Sequence, residues 1–375
     1  MINKVVWDRL LAVACAGVLC GILGAGLWPF TPHPRNQVAW LENGNGLRFG
    51  RHGTILSSGA FQPAESAGGA PCSLEIWVQR SRTEDSGTVL AFYSPENLVS
   101  FSLSQSISDL AIERQIRDRQ EHVSWVRIYS DELFRQERQP FVSITAGAQG
   151  TAVYVNGALV KRASRFGLSR RDLTGQLVIA NSPVEDDSWR GELRGLAIFD
   201  RELTATEVLE HFNSWTKNGR PAISEKGDPV ALYLFDERGG SVVHNRAGSG
   251  PELEIPDHFL ILRQAFLEVP WKEYHPGWRY YQDLLINIGG FIPLGFLFCG
   301  YFSTVRHLKR AQRITILCGF TVSLTIEVLQ AYIPVRGSGM MDVMTNTLGT
   351  AIGAAMFHWK VTQAVFSRVG IPIDQ

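Results

Sequence analysis

Residues 326–353 read IEVLQAYIPVRGSGMMDVMTNTLGTAIG, and the fold turns on where this stretch is placed. Glu327 and Gln330 are three residues apart, and Asp342 and Asn346 are four apart. On helices each pair therefore shares one face. Gly349 and Gly353 extend the second stripe, and Arg336 sits in the short loop between the two segments. Everything around these residues is apolar or small. Ionisable side chains in such surroundings are costly, face a bundle interior or a wet cavity, and point to function.

The chain on either side repeats the pattern. Leu10 to Phe30 carries no charge, and Leu284 to Val305 is a second charge-free run of 22 residues. Ile314 to Pro334 is interrupted only by Glu327, and Val343 to Trp359 is rich in Gly and Ala. A membrane-spanning helix needs about 20 mostly apolar residues, so the sequence predicts four transmembrane helices. A cleaved signal peptide is the other reading of the first run, because Lys4 and Arg9 precede it. Its apolar core exceeds the roughly 7–15 residues of a signal peptide, which favours a retained anchor. Lys4 and Arg9, the group Arg306, Lys309, Arg310 and Arg313, and Lys360 with Arg368 fall on one side if both termini are cytoplasmic. Residues 31–283 are then extracytoplasmic, and the polar residues gather near the outer face.

Charge supports this division. The whole chain has 36 basic and 36 acidic residues. Residues 1–30 carry two bases against one acid, 284–375 seven against three, and 31–283 27 against 32. A neutral total excludes binding of nucleic acid through a basic surface. Four of the five cysteines lie in the apolar runs, leaving Cys72 alone in the external segment. That segment must be held by its core rather than by disulfides. No CxxC pair, HExxH or Cys/His spacing marks a zinc site.

Residues 31–257 change character. Ser73–Val78, Thr88–Tyr93, Leu98–Leu103, Phe141–Thr145, Ala152–Val155, Gln176–Ile179 and Leu193–Phe199 are short and rich in β-formers, punctuated by turns such as Asn156-Gly157. This predicts an all-β sandwich. The strings SLEIWVQ, GTAVYVNGALV, LVIANSP and WRGELRGLAIFDRELTATEVLEHF resemble successive strands and the closing helix of LamG-like, concanavalin A-like jelly rolls. ALYLFDERGGSVVHNRAGSG (231–250) resembles that family's opening strand, and is expected to complete the sandwich out of the usual order. The resemblance implies a carbohydrate-binding or protein-contact module. Glu185, Asp186 and Asp187 could offer oxygen ligands to Ca²⁺ or form a solvated turn, and Trp77, Trp125 and Trp189 could stack on sugar or pack in the core. Residues 258–283, with Trp271, Tyr274, Trp278, Tyr280 and Tyr281, have the composition of an aromatic interfacial belt.

NIGGFIPLGF (287–296) together with 326–353 resembles the VanZ-like family, small multi-helix bacterial membrane proteins named for a member of a glycopeptide-resistance cluster. The pattern falls on Asn287, Phe291, Pro293, Gly295, Glu327, Gln330, Arg336, Asp342, Asn346, Gly349 and Gly353. The expected architecture is mixed: a four-helix transmembrane bundle (1–30 and 284–359, with 360–375 a cytoplasmic tail) and an extracytoplasmic jelly roll, in the bacterial cytoplasmic membrane. A polar headgroup whose tail stays in the bilayer would fit the cluster. Arg336 would contact an anion, with Asp283, Asn287, Gln330 and Asn346 as further ligand contacts. The ligand would be a membrane lipid or a lipid-linked envelope precursor, with the jelly roll engaging a glycan or another envelope protein. Two other readings stay open. One is an intramembrane enzyme acting on a lipid phosphate or lipid-linked sugar, with Glu327 and Asp342 catalytic; the other is a structural anchor that only displays the sandwich.

Overall fold

In the computed structural model the apolar runs and the β-rich segment separate into two compact units, Met1–Pro32 with Gln264–Gln375, and His33–Arg263. The structure describes residues 4–62, 69–117, 123–218, 229–248, 250–273, 278–360 and 362. Tyr274 and Arg368, both named above, lie outside them.

The second unit is the sandwich. Its strands are β1 (Val38–Trp40), β2 (Leu47–Phe49), β3 (Ile55–Phe61), β4 (Cys72–Arg80), β5 (Ser86–Tyr93), β6 (Phe101–Ser106), β7 (Asp109–Arg117) and β8 (Val123–Ser130). They continue as β9 (Phe141–Gly147), β10 (Gly150–Val155), β11 (Ala158–Ala163), β12 (Gly175–Ile179), β13 (Gly191–Phe199), β14 (Ala231–Tyr233), β15 (Val242–Val243) and β16 (Leu253–Glu254). One sheet runs β1-β2-β13-β4-β9-β10-β11 with β14 added to β13, and the other β15-β16-β3-β12-β5-β6-β7-β8. Strands distant in sequence interleave, β13 between β2 and β4 and β12 between β3 and β5, which is a jelly-roll winding. Alternation explains the two-layer packing. In β2, for example, Leu47 and Phe49 are buried and Arg48 is exposed. Six of the seven expected strands lie within observed ones; the other, Leu98–Leu103, is displaced, since β6 begins at Phe101 and residues 98–100 turn into it. Asn156 (φ 50°) and Gly157 (φ 81°) form the two-residue turn joining β10 to β11, the left-handed conformation that an Asn-Gly pair tolerates. The 231–250 segment completes the sandwich as expected. β14 pairs β13, and β15 pairs β16, which pairs β3.

β4 does not alternate, because helix α3 (Ala205–Asn218) covers its outer face. Helix α2 (Leu133–Gln136) is a single turn between β8 and β9. Thr204 and Glu207 form a capping box that starts α3, with Thr204 N donating to Glu207 Oε2 at 2.8 Å and Glu207 N to Thr204 Oγ1 at 3.3 Å. Trp215 and Val208 pack on Phe141, Phe199 and Leu232. Beneath the helix, His211 Nδ1 lies 2.9 Å from Glu75 Oε2, and Ser143 Oγ donates to Glu75 Oε1 at 3.0 Å. Glu75 is fully buried. Burial raises its pKa above the usual carboxyl value, and the His211 bond pulls it partly back. Burial acts to lower the His211 pKa, but the Glu75 bond and charge prevail and hold it above 6.5.

The first unit contains α1 (Lys4–Leu27), the short α4 (Pro270–Glu273), α5 (Trp278–Gly300), which continues through a π-helical turn at Tyr301–Val305, α6 (Ala311–Gln330) and α7 (Met340–Phe357). Three helices among the described residues are long and apolar enough to cross a membrane: Lys4–Leu27, Tyr280–Val305 and Ala311–Gln330. The fourth expected span forms a helix but falls short of that description. Asp342, Thr345, Asn346, Thr347 and Thr350 dilute its apolar character, and its 18 residues reach only about 27 Å. α7 packs against α5 and α6.

Polarity in this unit is inverted relative to a water-soluble core. Leu285, Ile286, Leu317, Met344 and Leu348 are exposed, while Thr315, Ser323, Glu327, Asn346 and Thr350 are buried. Hydrocarbon makes that distribution favourable, since apolar side chains face lipid and polar ones find partners inside. The unit is therefore a membrane unit. Its helices approach closely through glycine. A Cβ at Gly349 would strike the carbonyl oxygen of Ile288, one at Gly353 that of Ile292, and one at Gly295 that of Thr350. The Gly349-x-x-x-Gly353 stripe is thus the contact face between α7 and α5.

Candidate functional site

The polar residues of α5, α6 and α7 converge on one cavity of about 630 Å³ within the membrane unit. Asp283, Asn287, Glu327, Gln330, Arg336, Asp342 and Asn346, all seven singled out from the sequence, line it. Helical spacing explains the convergence. Glu327 and Gln330 share a face of α6, Asp342 and Asn346 share a face of α7, and Asp283 and Asn287 lie one turn apart on α5.

Each side chain has a distinct setting. Asn287 Nδ2 donates to Asp342 Oδ1 at 2.8 Å and ties α5 to α7. Asn346 Nδ2 donates to Ser323 Oγ at 2.9 Å and ties α7 to α6. Glu327, 1% exposed, accepts the Gly339 backbone N–H at 2.9 Å, where α7 begins. Gln330 Nε2 donates to the Gly26 carbonyl at 2.7 Å, and Arg336 Nη2 reaches the carbonyls of Ala25 and Gly26 at 3.3 and 3.2 Å. The last carbonyls of a helix have no partner within it, so these two side chains satisfy the C-terminal end of α1. Arg336, expected to meet an anion, is in this structure turned to backbone oxygen. Among the described residues, three buried polar atoms of cavity-lining side chains have no partner: Gln330 Oε1, Arg336 Nε and Asn346 Oδ1.

Several participants were not singled out beforehand. Gln264 Nε2 donates to the carbonyls of Gln330, Ile333 and Arg336, at 3.3, 2.5 and 2.8 Å, and so fixes the loop between α6 and α7. Glu268 exchanges backbone hydrogen bonds with Ser338 and Met340, and its residue lines the cavity. Ser338 accepts Leu267 N at its hydroxyl at 3.2 Å. Ser323 could have been found, since it stands four residues before Glu327 and on the same face. Gln264 and Glu268 carry no such mark, because they precede the apolar run and meet it only through the fold. Trp271 and Trp278 are exposed.

In the sandwich, Trp189 is fully buried with its Nε1 donating to Gln105 Oε1 at 2.9 Å, and Trp77 packs beside α3. Trp125 alone of the three is exposed, at 41%. Asp187 Oδ2 accepts from Thr88 Oγ1 at 2.6 Å and Asp186 Oδ1 from Ser188 Oγ at 2.7 Å, within the loop that also holds Glu185. Among the described residues no three His, Cys, Asp or Glu side chains gather as a metal site.

Comparison with known proteins follows the division into units. The VanZ/LLP1 family model matches residues 233–361, and the concanavalin A-like lectin/glucanases superfamily model matches residues 56–209. No curated protein matches the chain. Among solved structures, the chain is similar to a native heptameric SAP-like pentraxin from Limulus polyphemus, with 15% identity, a TM-score of 0.34, and 58% of this chain and 93% of that one covered. It is also similar to a Bacteroides ovatus protein, with 11% identity, a TM-score of 0.37, and 60% and 62% covered. A third is the receptor binding domain of botulinum neurotoxin C/D mosaic serotype, with 14% identity, a TM-score of 0.35, and 56% and 59% covered. One polypeptide thus carries a VanZ-like membrane segment and a concanavalin A-like jelly roll of the LamG type.

Proposed function

We propose that the membrane unit binds the polar headgroup of an amphiphile, such as a lipid or a lipid-linked envelope precursor, whose tail remains in the bilayer. The observation that carries this reading is the cavity itself. It is about 630 Å³, lined by the seven polar side chains together with apolar ones, and built into helices whose outer surfaces are apolar. Its buried unpartnered atoms on Gln330, Arg336 and Asn346 support a ligand that supplies what the protein leaves open. The basic clusters favour cytoplasmic termini, which would put this mouth and the jelly roll at the outer face. The jelly roll would then engage a glycan or another envelope protein, with Trp125 as the exposed aromatic suited to stacking. Lipids co-purifying with the protein in native membrane discs test the site. One headgroup class should be enriched over the bulk membrane and return to bulk level in Asn346→Leu, with thermal stability followed alongside because Asn346 also ties α7 to α6. Identical lipid profiles in the two proteins would sink the reading.

A catalytic reading has one observation in its favour: two carboxyl groups, Glu327 and Asp342, line the same cavity. Turnover of a lipid phosphate or lipid-linked sugar by purified protein, abolished by Asp342→Asn, would establish it. Full binding with no turnover would leave the binding role alone.

A further inference from the structure

The charge and hydrogen-bonding balance of the cavity says more about the ligand than its size does. Among the described residues its lining carries four carboxyl groups, on Glu268, Asp283, Glu327 and Asp342, against one guanidinium, on Arg336. That guanidinium lies with Nη2 against the carbonyls of Ala25 and Gly26, at the negative end of the α1 dipole. Glu327 is matched by the Gly339 N–H at the start of α7, and one oxygen of Asp342 by Asn287. Asp283, exposed near the start of α5, has no hydrogen-bond partner among the described residues.

The unpartnered atoms lean the same way. Gln330 is 7% exposed and Asn346 5%, and each leaves a buried side-chain oxygen without a donor. For Gln330 the assignment follows from chemistry: its amide nitrogen donates to the Gly26 carbonyl, so the oxygen must be the free acceptor. Two buried acceptors and two under-matched carboxylates call for a group rich in N–H donors and positive in charge. A phosphate brings only acceptors and negative charge, so it would meet repulsion from the carboxylates, with Arg336 the one cation of the described lining to offset them. An ammonium brings three donors and no acceptor.

We infer that the cavity recognises a cationic, amine-bearing headgroup, with Gln330 Oε1, Asn346 Oδ1, Asp283 and Asp342 as its acceptors. This rests on the headgroup reading above and sharpens it, because the anion contact expected of Arg336 becomes secondary. An ammonium could also arrive on a small soluble amine, and the two sources differ only in the tail.

The test uses the full chain in phosphatidylcholine discs, titrated with dodecylammonium, dodecyl phosphate and ethylammonium, with saturable binding read by calorimetry against empty discs. Dodecylammonium should saturate near one per protein, dodecyl phosphate should not, and Asp283→Asn should weaken the amine about tenfold. Because Asp283 is exposed and unbonded, that variant keeps the fold even if Asp342→Asn does not. Equal or tighter binding of dodecyl phosphate would overturn the charge assignment and leave the headgroup reading standing. Failure of both amphiphiles would overturn both. Ethylammonium binding as tightly as dodecylammonium would uphold the amine chemistry and reject a membrane-borne ligand.

Discussion

At the scale of single residues, the sandwich depends on a charge it has buried. Glu75 lies under α3 with His211 and Ser143 as its partners. Removing one member of such a pair leaves the other charge uncompensated, so His211→Leu should cost about 3–5 kcal/mol of stability. Both members have raised pKa values, so the folded state holds protons that the unfolded chain releases. Stability from His211 is therefore complete below pH 6.5 and is lost as pH rises through its raised folded value. The Glu75 shift has the same sign. Thermal unfolding of the full chain, followed by tryptophan fluorescence, should show this unit's transition falling as pH rises past neutrality. Glu75→Gln, which removes both the buried carboxyl and the charge that holds the His211 pKa up, should flatten or reverse that dependence; an unchanged slope would mean the pair does not control it. The membrane residues were legible at this scale for a simple reason. A carboxyl or amide in an apolar run stands out, and Glu327, Gln330, Asp342 and Asn346 needed only helical spacing to be brought together. Gln264 and Glu268 sit in a mixed stretch, DHFLILRQAFLEVP, where polar residues do not stand out, and their contacts span 66–72 residues of sequence that no local pattern encodes.

At the scale of elements, the contact between α5 and α7 leaves no room for a side chain. Gly349 and Gly353 bring α7 against the carbonyls of Ile288 and Ile292, and Gly295 answers from α5 against Thr350. Gly353→Ala should force the helices apart at a cost of about 1–3 kcal/mol. Lower thermal stability in detergent checks it, and because Asn287 and Asp342 sit on the same two helices, ligand affinity should fall with it. An exposed glycine with open space around it, Gly289, gives the control: Gly289→Ala should change neither. The strands were readable because burial on one face leaves a period of two. α7 was harder. Asp342 and Asn346 each find one partner inside the bundle, Asn287 and Ser323, so counting them against a span undervalues a helix whose polar face is turned inward.

At the scale of the whole molecule, the two family matches and the two compact units do not divide the chain at the same place. The jelly-roll model ends at residue 209 and the VanZ-like model begins at 233, yet the sandwich unit runs to Arg263. The sequence reading puts its boundary at residue 257, on composition rather than on either family pattern. Strands β14, β15 and β16 are only two or three residues long, too short for periodicity to identify. They nevertheless cover β13 in one sheet and β3 in the other. A fragment spanning 33–263 should be monomeric and unfold cooperatively, whereas 33–218, which contains the complete jelly-roll match, should associate. Light scattering of the two fragments decides this, and a monomeric, stable 33–218 would refute it. A recombination event that joined a sandwich to a membrane unit at the apparent seam, between 209 and 233, would have left an unpaired strand edge as a template for aggregation. A graft of this jelly roll onto another anchor therefore has to carry the first thirty residues of the VanZ-like match with it.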